Sequence, residues 1–347
     1  MERGSQNHDI VVVGASSGGL KVLETLLRDL PAGLPAALFV VLHMGNTSHL
    51  AHVLGRSSRW PVITAVSGMR FEYGRVYVAR PGAHLLLHDQ HLLLSRGPRE
   101  NMARPAIDPL FRSAALTFGS RVIGVVLSGS LSDGTAGLRA IKTCGGMAVV
   151  QEPADAAVAN MPASALRHVT VDHVVPASEL AGLIGRLVQE APGPSPEPPL
   201  NIRMETAIAA QDLVGMKVED QLGTPSRFTC PECHGALWEI EDGALLRFRC
   251  HVGHAYVADT ALDAKTEEVD RLLNTLLRSY QERAALARRL ASKERANRNV
   301  ELARRFARRA EEYEADVEMV RRLFVNDERS SEMLSSEGGG GDIGNDS

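Results

Sequence analysis

Between residues 9 and 190 the chain alternates short apolar runs with segments whose apolar positions recur at helical spacing. "IVVVG", "ALFVVLH", "RVYVAR", "RVIGVVLSG" and "GMAVVQ" are nearly all-apolar and β-branched, the signature of strands buried on both faces. Leu20, Val22, Leu23, Leu26 and Leu27 follow the first run at the spacing of a one-sided helix. Strands buried on both sides need helices on both sides, which predicts an α/β domain with a doubly wound, mostly parallel, Rossmann-like three-layer sheet. The stretch "GRVYVARPGAHLLLHDQHLLLSRG" breaks the rhythm with Pro-Gly and Asp-Gln turn signals and predicts an inserted β-hairpin.

Beyond residue 190 the pattern changes. "APGPSPEPP" opens an extended linker, expected over 191–226. A cysteine-rich segment, 227–258, reads as a small zinc-ribbon-like module with strands "LWEI" and "LLRFR" around Asp242 and Gly243. Residues 259–325 contain neither Gly nor Pro and are rich in Ala, Leu, Glu and Arg, which predicts a long helix or helical hairpin. Val269, Leu272, Leu273, Leu276, Tyr280, Leu302, Phe306, Tyr313, Val317 and Val320 mark its apolar stripe, suited to packing or to a coiled-coil contact. Residues 326–347, ending "SSEGGGGDIGNDS", have little to bury and are expected to be disordered.

Composition narrows the possibilities. The 347 residues are 44% apolar and 23% charged, with a formal net charge of -4, so no global field recruits nucleic acid or an anionic membrane. No apolar run approaches the ~20 residues of a membrane span, and "MERGSQNHD" lacks a secretory apolar core. The expectation is a cytosolic protein, in which four cysteines point to metal or catalysis rather than disulfides.

The first strand runs into "GASSGG", which admits two chemistries. A nucleotide cradle would need an acidic residue at the end of the second strand, but that strand ends at His43, and no tyrosine has a lysine four residues later. A nucleophile turn of the G-x-S-x-G type fits Gly14, Ser16 and Gly18. Ser16 is the candidate, with Ser17 its nearest competitor. A serine needs a base and a group that orients the base. His43 and Asp133, in "GSLSDGTAG", follow two further strands, and in a doubly wound sheet these ends share one edge. Taken singly, His43 also fits a core histidine and Asp133 a cap for a helix starting near Thr135.

The ordered motifs "GASSGG", "HM", "ARPGAHL", "RPAIDPLFRSAA", "LSGSLSDGTAG" and "QEPADAAVANMP" together resemble the catalytic domain of the CheB-type chemotaxis receptor-glutamate methylesterases. The resemblance implies a Ser, His, Asp triad at Ser16, His43 and Asp133; the backbone N–H groups of the glycine turn, Ser17 among them, suit an oxyanion hole because a helix N-terminus favours negative charge. It implies hydrolysis of glutamate γ-methyl esters on methyl-accepting chemoreceptors, releasing methanol, and deamidation of receptor glutamines. Two departures stand out. The resemblance begins at residue 9, which leads to the expectation of a receiver-less form controlled in trans or by self-association through its C-terminal helices. "GSLSDG" puts Ser130 where the family's usual turn, closer to "GMGNDG", carries methionine. A serine hydrolase of other esters or amides and a receptor-binding scaffold are the alternative functions.

In "CPECHGALWEIEDGALLRFRCHVGH", Cys230 and Cys233 share one turn, and Cys250 precedes His251 and His254. Three thiolates and an imidazole suit a closed, structural Zn²⁺ site. His254 is preferred as fourth ligand for its C-x-x-x-H spacing, with His251 and His234 as competitors. The segment is similar to one in receiver-less relatives of the family.

Overall fold

The computed structural model describes residues 7–43, 49–212 and 221–337, with side chains as far as 324. Its first strands and helices run β1 (Ile10–Ala15), α1 (Gly19–Asp29), β2 (Ala37–Leu42), α2 (Leu50–Gly55), β3 (Val62–Thr64), β4 (Val76–Val78), then the hairpin β5 (His84–His88) and β6 (His91–Ser95). They continue α3 (Ile107–Phe118), β7 (Val122–Val126), α4 (Thr135–Thr143), β8 (Met147–Gln151), α5 (Asn160–His168), β9 (His173–Val175), α6 (Ala177–Leu187) and α7 (Leu200–Ala210). Seven strands form one sheet in the order β3-β4-β2-β1-β7-β8-β9, every pair parallel.

Alternate side chains of each central strand serve different cores. Ile10, Val12, Phe39 and Val41 pack against α3, α4 and α5 through Ile107, Phe111, Leu138 and Met161. Val11, Val13, Leu38 and Val40 pack on the opposite face against α1, α2 and α6 through Leu23, Leu26, Leu54 and Ile184. Each such side chain contributes about 1.5–3 kcal/mol on burial. That supply makes the doubly wound architecture, as the apolar runs predict, the one that satisfies both faces. From β1 the chain winds first toward β2 and later, through α3, to β7 on the other side. The carboxyl ends of β1, β2 and β7 therefore surround a topological switch point, where α/β sheets place ligands. The inserted hairpin pairs His88 with His91 across Asp89, whose φ of 50° suits the tight turn.

A second, antiparallel sheet comprises β10 (Thr224–Thr229), β11 (Ala236–Asp242), β12 (Leu245–Cys250) and β13 (Ala255–Val257). The span expected to be linker, 191–226, contains α7, because the prolines end at Pro199 and the helix starts directly behind them. Its Glu205 is buried and accepts from both Arg247 Nη atoms (2.8 Å each) and from Arg249 Nη2 (2.8 Å). Arg112 adds a two-oxygen contact to Glu100 (2.6 and 2.7 Å), which also lies 3.3 Å from Arg249. These charges tie α3, α7 and β12 together. Burial alone would raise the Glu205 pKa, but Arg247, Arg112 and Arg249 hold it well below the usual carboxylate range.

The described residues divide after Ala264 into two units. The second is built from helix Ala258–Ala296 beyond that point and helix Val300–Glu337, separated by a break at which Arg298 has φ 61°. Arg283 stacks over the Tyr313 ring at 4.0 Å, and Arg288 pairs with Glu314, so these helices form a hairpin. Its seam follows the expected apolar stripe only in part. Ala284, Ala287, Ala291, Ala303 and Ala310 are buried with Val317 and Val320, while Val269, Leu272 and Leu276 are at least 43% exposed. Alanine lets the backbones approach closely, so small residues line the seam that larger ones would prop open. The second helix runs to Glu337, past the boundary expected at 325; residues 338–347 of that tail lie outside the described residues.

Candidate active site and cysteine cluster

Strand β1 delivers Ser16 directly into a tight turn. Its N–H donates to Ser128 O (2.9 Å) and its carbonyl accepts from Gly19 N (2.9 Å), so the chain reverses within three residues into α1. Gly18 has φ 78°, and a Cβ there would stand 2.7 Å from Ala157 Cβ and 2.8 Å from Ser128 Oγ, so only glycine fits. Ser16 is half-buried and Ser17 exposed, at the amino end of α1. Ser16 Oγ makes no hydrogen bond among the described residues.

His43 follows β2, and its N–H donates to Ala15 O (3.0 Å), which continues the parallel register and sets it beside Ser16. Its Nε2 lies 2.8 Å from Asp133 Oδ2; the side chains are 20% and 2% exposed. The three sequence candidates thus meet at one sheet edge. With Nε2 engaged by the carboxylate, Nδ1 is the ring nitrogen that remains.

Asp133 is held from every side. Oδ2 also accepts from Ile107 N (2.6 Å), while Oδ1 accepts from Asn101 Nδ2 (2.9 Å), Gly134 N (3.0 Å) and Asp108 N (3.2 Å). Ile107 and Asp108 open α3, so Asp133 occupies the amino end of that helix, where the dipole favours an anion. Asp133 does not cap α4: Gly134 holds that position with no side-chain cap. Burial raises the Asp133 pKa, but the hydrogen bond and charge of His43, with the Ile107 N–H and Asn101, outweigh it and leave the group below its ordinary value.

Two buried residues beside it have no counterpart among the sequence candidates. Asp108 accepts from Gly137 N (2.6 Å) and Asn101 Nδ2 (2.8 Å). Burial and then the neighbouring Asp133 charge push its carboxyl up to about 8. Asp108 falls inside the "RPAIDPLFRSAA" motif, where a carboxylate on an otherwise apolar helix start is a usable signal. Asn101 has no comparable local signature. Ser130 is exposed, 3.5 Å from Ser17 Oγ.

The family model for CheB methylesterase matches residues 11–184. The chain belongs to the CheB methylesterase family. Relatives include a protein of Leptospira interrogans, provisionally named a protein-glutamate methylesterase/protein-glutamine glutaminase, 38% identical over 53% of this chain and 96% of its own length. Another, protein-glutamate methylesterase/protein-glutamine glutaminase 2 of Anaeromyxobacter dehalogenans, is 40% identical over 52% of this chain and 54% of its own. The crystal structure of the Thermotoga maritima CheB methylesterase catalytic domain covers 52% of this chain and 98% of that one, with TM-score 0.50 and 33% identity. These family matches fall on the seven-stranded half that carries Ser16, His43 and Asp133.

The cysteine-rich sheet brings Cys230, Cys233, Cys250 and His254 together, with one potential ligand atom of each within 4.8 Å of the others. Cys250 Sγ lies 3.5 Å and Cys230 Sγ 3.7 Å from His254 Nδ1, and Cys233 Sγ is 3.6 Å from Cys250 Sγ. Ligands bound tetrahedrally to one zinc ion stand roughly 3.5–3.8 Å apart, so the donor set and spacing fit that ion. Two tight turns shape it: His234 N donates to Cys230 O, and Gly253 N to Cys250 O. His251 instead packs over Gly235, whose missing Cβ would fall 1.9 Å from its ring. Glu232 Oε2 lies 3.6 Å from His254 Nε2, an ion-pair distance rather than a hydrogen bond. Among the described residues no helix is long and apolar enough to cross a membrane.

Proposed function

We propose that this chain is a protein-glutamate methylesterase. It hydrolyses γ-methyl esters of glutamate side chains on methyl-accepting chemoreceptors in the cytosol, and deamidates receptor glutamines by the same attack. The observation that carries this reading is the 2.8 Å His43–Asp133 pair beside Ser16 at the switch point of a methylesterase-family sheet.

Ser16 Oγ bonds to the ester carbonyl carbon as His43 Nδ1 takes the hydroxyl proton. The imidazolium is stabilised by Asp133, whose donors leave it no freedom to turn away. The carbonyl oxygen becomes an oxyanion facing the Ser17 N–H at the amino end of α1, where the helix dipole favours negative charge. Collapse breaks the C–O bond, and methoxide leaves as methanol with the proton from His43. Water then attacks the acyl-serine with His43 as base, and glutamate departs as Ser16 regains its proton. With glutamine, ammonia is the leaving group.

Cys230, Cys233, Cys250 and His254 hold one zinc ion in this reading. Four protein ligands leave no open position, so the metal stabilises the module and takes no part in the ester chemistry. The helical hairpin, with its exposed Val269, Leu272 and Leu276, is the element suited to a regulator or a second copy.

The test compares wild type with Ser16→Ala on receptor fragments carrying labelled methyl esters. The reading requires methanol release by wild type and a loss on the order of 10⁴-fold or more in the variant. Equal release by both overturns it.

A further inference from the structure

Asn101 takes no part in the steps above, yet every hydrogen-bonding group of its side chain is committed. Nδ2 donates to Asp133 Oδ1 (2.9 Å) and Asp108 Oδ2 (2.8 Å), and Oδ1 accepts from Val257 N (3.0 Å). Turning the amide over would face its oxygen to the Asp133 carboxylate and its NH₂ to an N–H, so one orientation is selected. The backbone is fastened as well. Asn101 N donates to Ala255 O (2.8 Å), and its φ of 49° lies in the left-handed region that asparagine tolerates.

Val257 and Ala255 belong to β13 of the cysteine-rich sheet, and Ala255 directly follows His254 of the cysteine cluster. Beside this contact, Ser132 Oγ and Thr260 Oγ1 meet at 2.8 Å, both buried, one residue before Asp133. A single buried amide thus joins the carboxylate that orients His43 to the backbone of the C-terminal module.

We propose that Asn101 is a positioning residue for the ester hydrolysis and that β13 is the latch that keeps it in place. With β13 docked, the amide is a fixed donor to Asp133. With β13 released, Oδ1 loses its acceptor role, the amide is free to rotate, and Asp133 Oδ1 is left one donor short. The cysteine-rich module is then an activity-setting element of the enzyme. This rests on the triad reading above.

The test measures kcat, KM and thermal unfolding of full-length wild type, Ser16→Ala, Asn101→Gly and Asn101→Asp. Glycine keeps the left-handed backbone without strain and removes the amide. Aspartate keeps an oxygen for the Val257 N–H but removes the donor to Asp133 and adds a charge beside it. The expected result is a fall in kcat of roughly tenfold or more for both, with KM unchanged. The downfield proton resonance of the His43 Nε2–H···Asp133 bond should shift in both. Treatment of wild type with a zinc chelator should lower kcat toward the Asn101→Gly value and leave that variant little changed. Wild-type kcat and an unshifted resonance in Asn101→Asp would overturn the proposal, because a role limited to anchoring β13 survives that substitution. Ser16→Ala separates the two readings: an inactive Ser16→Ala beside a fully active Asn101→Asp removes only the latch, whereas an active Ser16→Ala removes the triad.

Discussion

Strands β1, β2 and β7 have every residue buried, backed by helices on both faces, whereas β10 is largely exposed and its sheet encloses only a handful of apolar side chains around Cys230, Leu237, Phe248, Cys250 and Tyr256. The two sheets also handle buried charge differently. In the parallel half Asp133 is held by neutral donors and a helix end, leaving its charge to act on His43. At the edge of the antiparallel module Glu100 and Glu205 are consumed by Arg112, Arg247 and Arg249. Fully paired charges fasten elements together, and a carboxylate solvated by dipoles retains field for chemistry. A large apolar core sustains the first arrangement; the second sheet has a small one, and buried ion pairs dock it against α3 and α7.

Asp133→Asn removes the charge that acts on His43 while keeping the side chain's size. Asparagine must present an NH₂ either to His43 Nε2–H or to the N–H groups of α3, so the imidazole tautomer is lost. The expected fall in kcat is on the order of 10⁴-fold with the fold retained, measured as methanol release beside circular dichroism. A neutral effect would mean that the carboxylate is merely a helix cap.

Metal removal comes next. Structural zinc contributes on the order of 10 kcal/mol in isolated zinc-finger peptides, so chelation should release one zinc per chain and open the cysteine-rich sheet. Trp238 is in β11 of that sheet and Trp60 in the α/β half. In a Trp60→Phe background the indole fluorescence should therefore change on chelation, while the parallel sheet keeps its far-ultraviolet signal. Unchanged Trp238 emission with the metal gone would show that the sheet stands without it.

The smallest effect concerns Asp108. Its folded pKa, about 8, lies above the unfolded carboxyl value, so the folded state holds the extra proton between about pH 4 and pH 8. Stability from this group is complete at the acid end of that window and declines as pH rises through it. Asp133 has the opposite sign: its lowered pKa contributes stability above the unfolded value, lost as pH falls through the folded one. Carboxyl ¹³C shifts should show Asp108 titrating near pH 8 while Asp133 stays ionised into the acid range. An Asp108 titrating near 4 would contradict the buried pair.

The parallel sheet was legible because strands such as "IVVV" and "ALFVVL" are apolar at every position, as strands of a sheet covered on both faces are. The meeting of Ser16, His43 and Asp133 at one sheet edge was legible because the first two directly follow apolar runs and the third lies in the turn behind another. Asn101 was not, since its role depends on β13 arriving more than 150 residues later, and an asparagine in a loop looks the same with or without that partner. The helical stripe was legible only in part, with Val317 and Val320 buried as expected, for a related reason. Leucine spacing marks a face that can be buried, but the close approach of two helices selects alanine, so Ala284 and Ala303 are buried while Leu272 is open.

The proposed mechanism makes Ser16, and not its neighbour Ser17, the nucleophile activated by His43. Treating the protein with a serine-directed fluorophosphonate and mapping the adduct by peptide mass spectrometry tests it most directly. The expected result is a single adduct on Ser16 in wild type that is lost in His43→Ala. An adduct on Ser17, or labelling of Ser16 that is indifferent to His43, would contradict it.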